Sequence, residues 1–308
     1  MKAILSAWLV LVIVSPLSVL AQNDTHTEGH FGVLVMAHGG SDEWNQGVLD
    51  TVAPLSEDYD IELAFGMADA VSIQEAVARL EQRGVKRIGV VRLFISGESW
   101  YERTAQILGL EEGAPERVIE HAHTDAGHGD HGAPGMGHSM AFWRIDSVSE
   151  FALSKDGLAQ APQMAHVLLS RALGLSVDPS HEDVLILAHG PETDAEDQRW
   201  IAQIEARTAA LREQHPFRSV KVATLREDWE EKRVGAEESV REFVSNASAS
   251  GGTALVIPYR VHGFGPYANV LEGLEYRADE QGLIPHPSVT AWIEAQVVLL
   301  ENQLNTGS

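Results

Sequence analysis

Five histidines, His121, His123, His128, His131 and His138, share one short run with five glycines. Imidazole binds first-row divalent ions, and Asp125 and Asp130 add oxygen donors to the same run. On so glycine-rich a backbone these ligands would capture metal weakly and exchangeably, without forming a rigid cage. The same run also reads as a plain solvated linker. His26 and His30, near the N-terminus, favour metal capture.

A second set of histidines has a different setting. His38 lies in "GVLVMAHGGSDEWNQGVLDTV", His189 in "DVLILAHGPETDAEDQRWIAQI" and His262 in "VIPYRVHGFG". Each follows a short apolar run of the kind that forms a buried strand. Open parallel sheets bind ligands at the carboxyl ends of their strands, so these imidazoles belong at such an edge. Neutral histidines there could hold Co(II), Fe(II), Ni(II) or Zn(II), or accept protons. Aligning Val90-Val91 with Val256-Ile257 sets Ser96 against His262, with Glu98 two residues beyond. The first half then offers a His38–Glu98 pair where the second offers His189 and His262. A strand-end histidine that merely bonds a loop carbonyl is the plainer reading of each.

The elements that must position these groups occur twice. "SIQEAVARLEQRGVKRIGVVRLFISGES" and "GAEESVREFVSNASASGGTALVIPYRVHGFG" both run from a helix through a glycine stop to an apolar strand. Continuous apolar strands alternating with helices predict an α/β fold with parallel sheets covered on both faces. The expected organisation is two similar lobes, 30–120 and 155–300, each a mostly parallel sheet flanked by helices, joined by a His/Gly-rich linker at 121–154.

Composition narrows the chemistry. The chain has 308 residues, 44% of them hydrophobic, enough to bury a sizeable core. Its net charge of −23 argues against binding a phosphate backbone. With no cysteine, disulfides, thiolate metal sites and iron–sulfur clusters are excluded. "HGGS" at 38–41 hints at an esterase oxyanion loop, but no Gly-x-Ser-x-Gly elbow accompanies it, and no phosphate-binding loop occurs. Residues 1–21 read as a secretory signal, from Lys2 through an apolar run to Val19-Leu20-Ala21, which predicts export to a periplasm. Trp200, Trp229 and Trp292 fall in helical patterns and read as packing anchors.

The two Ala-His-Gly copies, in their strand–helix context, resemble the class II tetrapyrrole chelatases, the sirohydrochlorin cobaltochelatases and ferrochelatases. The resemblance covers most of 32–300. It implies two chelatase-like lobes around a cleft and insertion of a divalent metal, cobalt first, into sirohydrochlorin or a related tetrapyrrole. Metal and macrocycle are then substrates, and the protein is a monomer or homo-oligomer free of the membrane once its signal is cleaved. Carried over by position, the resemblance implicates His189 and His262, with His38 and Glu98 as first-half counterparts. The later-strand stretches "ISGES" and "YRVHGFG" depart from the family's usual Gly-x-His pattern. Tyr259, Arg260, Phe264 and Tyr267 are candidates to line the cleft, the aromatics against the macrocycle and Arg260 against a peripheral carboxylate. A periplasmic metal- or tetrapyrrole-binding protein that has kept the fold and lost turnover is the alternative.

Overall fold

The computed structural model describes residues 30–117 and 140–306. The expected signal, His26 and the five linker histidines His121, His123, His128, His131 and His138 lie outside them. Two four-stranded sheets, parallel throughout, form the frame. The first is ordered β2 (Asp60–Phe65), β1 (His30–Ala37), β3 (Val85–Leu93), β4 (Glu150–Leu153). The second repeats it as β6 (Ser219–Thr224), β5 (Glu182–Ala188), β7 (Thr253–Tyr259), β8 (Tyr276–Ala278). The expected α/β class and parallel sheets are what the chain forms.

Strand registers make the repeat exact at residue level. Leu34 pairs with Val90 as Leu185 pairs with Val256, and Ala37 ends opposite Leu93 as Ala188 ends opposite Tyr259. Ser96 and His262 therefore do occupy equivalent positions, each three residues beyond its strand. In both sheets the first strand is followed by one neighbour and flanked by the other, so the switch point lies beside His38 and His189.

Side-chain alternation assigns the faces. Leu34, Met36 and Val90 pack outward under α2 (Ala70–Gln82), and Leu185, Leu187 and Val256 do so under α7 (Glu230–Ala249). Val33, Val35 and Val91 turn inward, as do Val184, Ile186 and Ile257, and all join one core shared by both halves.

That core is closed by an exchange of helices. After β4, Leu158 and Ala159 donate to the carbonyls of Phe94 and Ile95; after β8, Leu283 and Ile284 donate to those of Arg260 and Val261. The helices that follow, α4 (Met164–Leu175) and α9 (Pro287–Thr306), are thus counterparts. Each covers the other half's sheet: α4 packs on β7, and α9 packs on β3 and β4. Gly89 on β3 permits this closeness, because a Cβ there would meet Leu300 of α9 at 3.2 Å and Phe31 at 2.8 Å. The expected boundaries shift accordingly. The first sheet takes a strand from inside the expected linker and its covering helix from the end of the chain. Among the described residues no helix is long and apolar enough to cross a membrane.

The start of α9 is held by His286. Its Nδ1 accepts from the backbone N–H of Ser288 at 3.1 Å, capping a helix whose first residue is Pro287. Burial, then Arg171 and His166, hold the His286 pKa below its ordinary 6.5. The neutral ring thus contributes stability above that pH, which is lost as pH falls and the unfolded chain takes up the proton. Thermal unfolding of His286→Asn, which keeps a capping acceptor but does not titrate, is expected to show a smaller fall in Tm from pH 7.5 to 5.5 than wild type. His286→Ala should lose about 1 kcal/mol at the higher pH.

Candidate functional site

Two loops set the central histidines. Ser41 caps α1 (Asp42–Val52) by accepting from Trp44 N–H, and Thr193 caps α5 (Asp194–Arg207) by accepting from Glu196 N–H. Between strand and cap the chain must reverse, and Gly39 and Gly190 do so at φ of 80° and 84°. At Gly190 a side chain would also strike Thr224 at 2.7 Å.

The reversal turns each glycine carbonyl onto the preceding imidazole. His38 Nδ1 lies 2.8 Å from Gly39 O, and His189 Nδ1 lies 2.7 Å from Gly190 O. A carbonyl only accepts, so Nδ1 carries the proton in both rings. Nε2 is left as the acceptor or ligand, the arrangement that usually stands behind a metal-binding histidine.

In the second half Nε2 of His189 is 3.0 Å from Asp228 Oδ2. With Nδ1 already protonated, a neutral ring would oppose two lone pairs there. A cation between them resolves the conflict: either a second proton or a metal ion. Asp228 follows β6 on the loop Leu225–Trp229. That loop is anchored by Arg226, buried at φ 55°, whose backbone N–H donates to His189 O at 2.7 Å while its guanidinium binds the carbonyls of Pro191 and Glu192. The equivalent acid in the first half, Asp69, instead caps α2 through Val71 N–H.

His38, His189 and His262 line one cavity of about 770 Å³ between the strand ends of the two sheets. His262 rests against α1, where a Cβ on Gly47 would stand 2.7 Å from its Cδ2. It also borders an outer cavity of about 1150 Å³ lined by Glu43, Arg171, Phe264 and Asp279. Among the described residues no group of three or more histidines and carboxylates could hold a metal.

The expected His38–Glu98 pair does not form. Glu98 is half-exposed and binds Arg199 of α5 at 2.8 and 3.1 Å, joining the two halves outside the cavity lining. The expected aromatic lining differs as well. Tyr267 is fully buried beneath Arg260 and edge-on to Phe264, and burial pushes its hydroxyl pKa up. Tyr259 does border the inner cavity but has no solvent-exposed surface, and its hydroxyl donates to Leu158 O at 2.9 Å, tying the halves together. Phe264 faces the outer cavity. Arg260 does line the inner one, but its guanidinium is bound to Glu227.

Tryptophans take the place of those aromatics. Trp44, Trp100, Trp200 and Trp229 all border the inner cavity. Trp229 meets the His189 ring edge-on at 6.0 Å. Trp100 is held at φ 60°, a left-handed conformation that bulky residues rarely adopt outside functional loops. Of the expected packing anchors Trp292 and Trp200 are buried, 2% and 7% exposed, Trp200 also bordering the cavity, while Trp229 is half-buried at its wall. The clue in the sequence is adjacency: Trp44 opens the helix after His38, and Trp229 follows Asp228 directly.

No protein-family model and no curated protein matches the sequence. Solved structures do. DR2241 from Deinococcus radiodurans, described as multi-domain with structural similarity to chelatases, superposes with a TM-score of 0.54 at 17% identity. That match covers 87% of this chain and 55% of DR2241, so this chain spans little more than half of that protein's length. SirB from Bacillus subtilis, in a structure with Fe3+, gives 0.57 at 13% identity, covering 87% of this chain and 94% of SirB.

The fold is chelatase-like.

The tautomers fixed by Gly39 and Gly190 can be checked directly. Long-range 1H–15N NMR at pH 8 should show the His38 ring protonated on Nδ1, and the His189 ring of Asp228→Asn likewise. An Nε2–H tautomer at either would contradict the geometry.

Proposed function

We propose that this chain inserts a divalent metal ion into a tetrapyrrole related to sirohydrochlorin, held between the tryptophan walls of the inner cavity. The observation that carries this reading is His189, locked through Nδ1 to Gly190 and facing Asp228 through Nε2, in a cavity it shares with His38 and His262. Cobalt is the first choice of metal, with iron, nickel and zinc as alternatives, since nitrogen and oxygen donors suit all four. The chelatase-like fold supports the reaction class.

Insertion releases two pyrrole protons while the ion sheds its protein ligands. His189 and Asp228 bind the ion at Nε2 and Oδ2, and once it leaves, the same two atoms share a proton. A second proton can pass to the bare Nε2 of His38. A site short of three strong ligands holds its ion loosely, which suits a metal that must be given up. The second reading is a metal- or tetrapyrrole-binding protein on the same fold without turnover. Glu98 acts in joining the halves and has no direct role. The run 121–138 serves as a metal-collecting segment, and the apolar stretch after Lys2 supports export to a periplasm.

Anaerobic Co(II) insertion, followed by absorbance with sirohydrochlorin and less carboxylated tetrapyrroles, tests this. His189→Ala and Asp228→Asn are each expected to lower kcat/KM by about 100-fold or more, the usual scale for general acid–base groups. Deleting 121–138 should raise the metal concentration needed and leave kcat unchanged. No insertion of any divalent ion into any of the macrocycles would overturn the enzyme and leave the binding protein.

A further inference from the structure

The wall of the inner cavity is strongly one-signed. Glu192, Glu196, Glu227 and Asp228 line it, against a single arginine, Arg260, among the described residues. Arg260 is bound to Glu227, whose side chain is only 11% exposed. Drawing Arg260 towards a ligand would strand that buried carboxylate, a costly exchange.

Other nearby cations are committed too. Arg199 at the rim holds Glu98, Arg226 holds two loop carbonyls, and Arg103 donates to the carbonyls of Ala68, Met140 and Ala141. The three histidines offer no substitute, because a ring that ligates metal must be neutral. What remains for the ligand is tryptophan surface, which binds flat apolar rings without any charge requirement.

We infer that the cleft selects a flat tetrapyrrole bearing few ionised carboxylates and rejects octacarboxylate macrocycles. This rests on the tetrapyrrole reading of the same cleft, and narrows it away from sirohydrochlorin itself. A rim of carboxylates would meet Glu192 and Glu196 with no cation between, whereas a sparsely charged rim meets the tryptophans alone. Specificity here comes from repulsion of the wrong ligand as much as from attraction of the right one.

The test is quenching of tryptophan fluorescence in the full metal-free chain at pH 8, titrated with an octacarboxylate porphyrin (uroporphyrin) and a dicarboxylate one (mesoporphyrin). At about 0.1 M salt the dicarboxylate is expected to bind at least about tenfold more tightly. Near 1 M salt, where screening acts within about 3 Å, the gap should narrow. The double variant Glu192→Gln/Glu196→Gln should tighten octacarboxylate binding by about fivefold or more while moving the dicarboxylate less than about twofold. Both positions are on the surface of a loop and a helix, so an unchanged Tm serves as the folding control. Preference due to apolarity alone would survive both salt and charge removal, and that result overturns the inference. So does octacarboxylate binding that equals or exceeds the dicarboxylate's. If neither porphyrin binds, the tetrapyrrole reading falls and the inference falls with it.

Discussion

A parallel sheet that is apolar on both faces must be covered on both, and neither half of this chain covers all of its own inner face: Val48 and Val52 of α1 and Ile204 of α5 cover part, and a helix from the opposite half covers the rest. Helix α4 leaves the first half to pack on β7, and α9 returns from the second half to pack on β3 and β4. The two inner faces therefore close over one core, running from Phe31 through Trp292 to Leu304. Everything at the site follows from that closure. It fixes the carboxyl edges of both sheets on one cavity, so that His38 from one half and His189 and His262 from the other line the same space. Tyr259 shows the coupling in one bond: a second-half strand end donates to Leu158 of the first.

Within this near-symmetric frame the two halves have been put to different uses. Both carry the same histidine–glycine device, with matching bonds of 2.8 and 2.7 Å. They diverge on the next loop. Asp69 is spent on the N-terminus of α2 and on Ala141 N–H, while Asp228 stands 70% exposed against His189. Ser96, at the position of His262, donates no imidazole and instead accepts from Glu98 N–H at 3.1 Å. The first half thus supplies one nitrogen and the smaller part of the wall, and the second supplies the nitrogen–carboxylate pair, His262 and most of the wall.

Much of this was legible in the sequence, for a physical reason. Fully buried parallel strands are nearly continuous apolar runs, so β1, β3, β5 and β7 stand out. Aligning them by repeat recovers the true register of Ser96 against His262. The helix exchange was not legible, because α4 and α9 are apolar enough to cover either sheet and nothing local says which. Asp228 carries no signal in the sequence, because its first-half counterpart Asp69 serves as a cap and the repeat therefore does not mark it. The expected aromatics offer less ring surface than their positions suggest for a related reason. Tyr259 and Tyr267 lie close to His262 in the chain, but strand alternation and the short turn α8 (Tyr267–Val270) bury them. Tryptophans in helix-period segments read as core until the fold shows that those segments border a cleft.

The electrostatics of the cleft and of the whole chain point the same way but act at different ranges. The net charge of −23 sets a long-range potential that salt screens within about 10 Å at 0.1 M. Inside the cleft the relevant quantity is pairing. Burial works against the charge of Arg260, but Tyr267 and Glu227 outweigh it and hold its pKa above the ordinary value, so it stays a cation bound to its own carboxylate. The field this leaves is negative; under the proposed function it would draw a divalent ion towards His189 and Asp228 and disfavour an anionic rim on the macrocycle. The proposed metal capture and the inferred rejection of polycarboxylates would then share one charge arrangement.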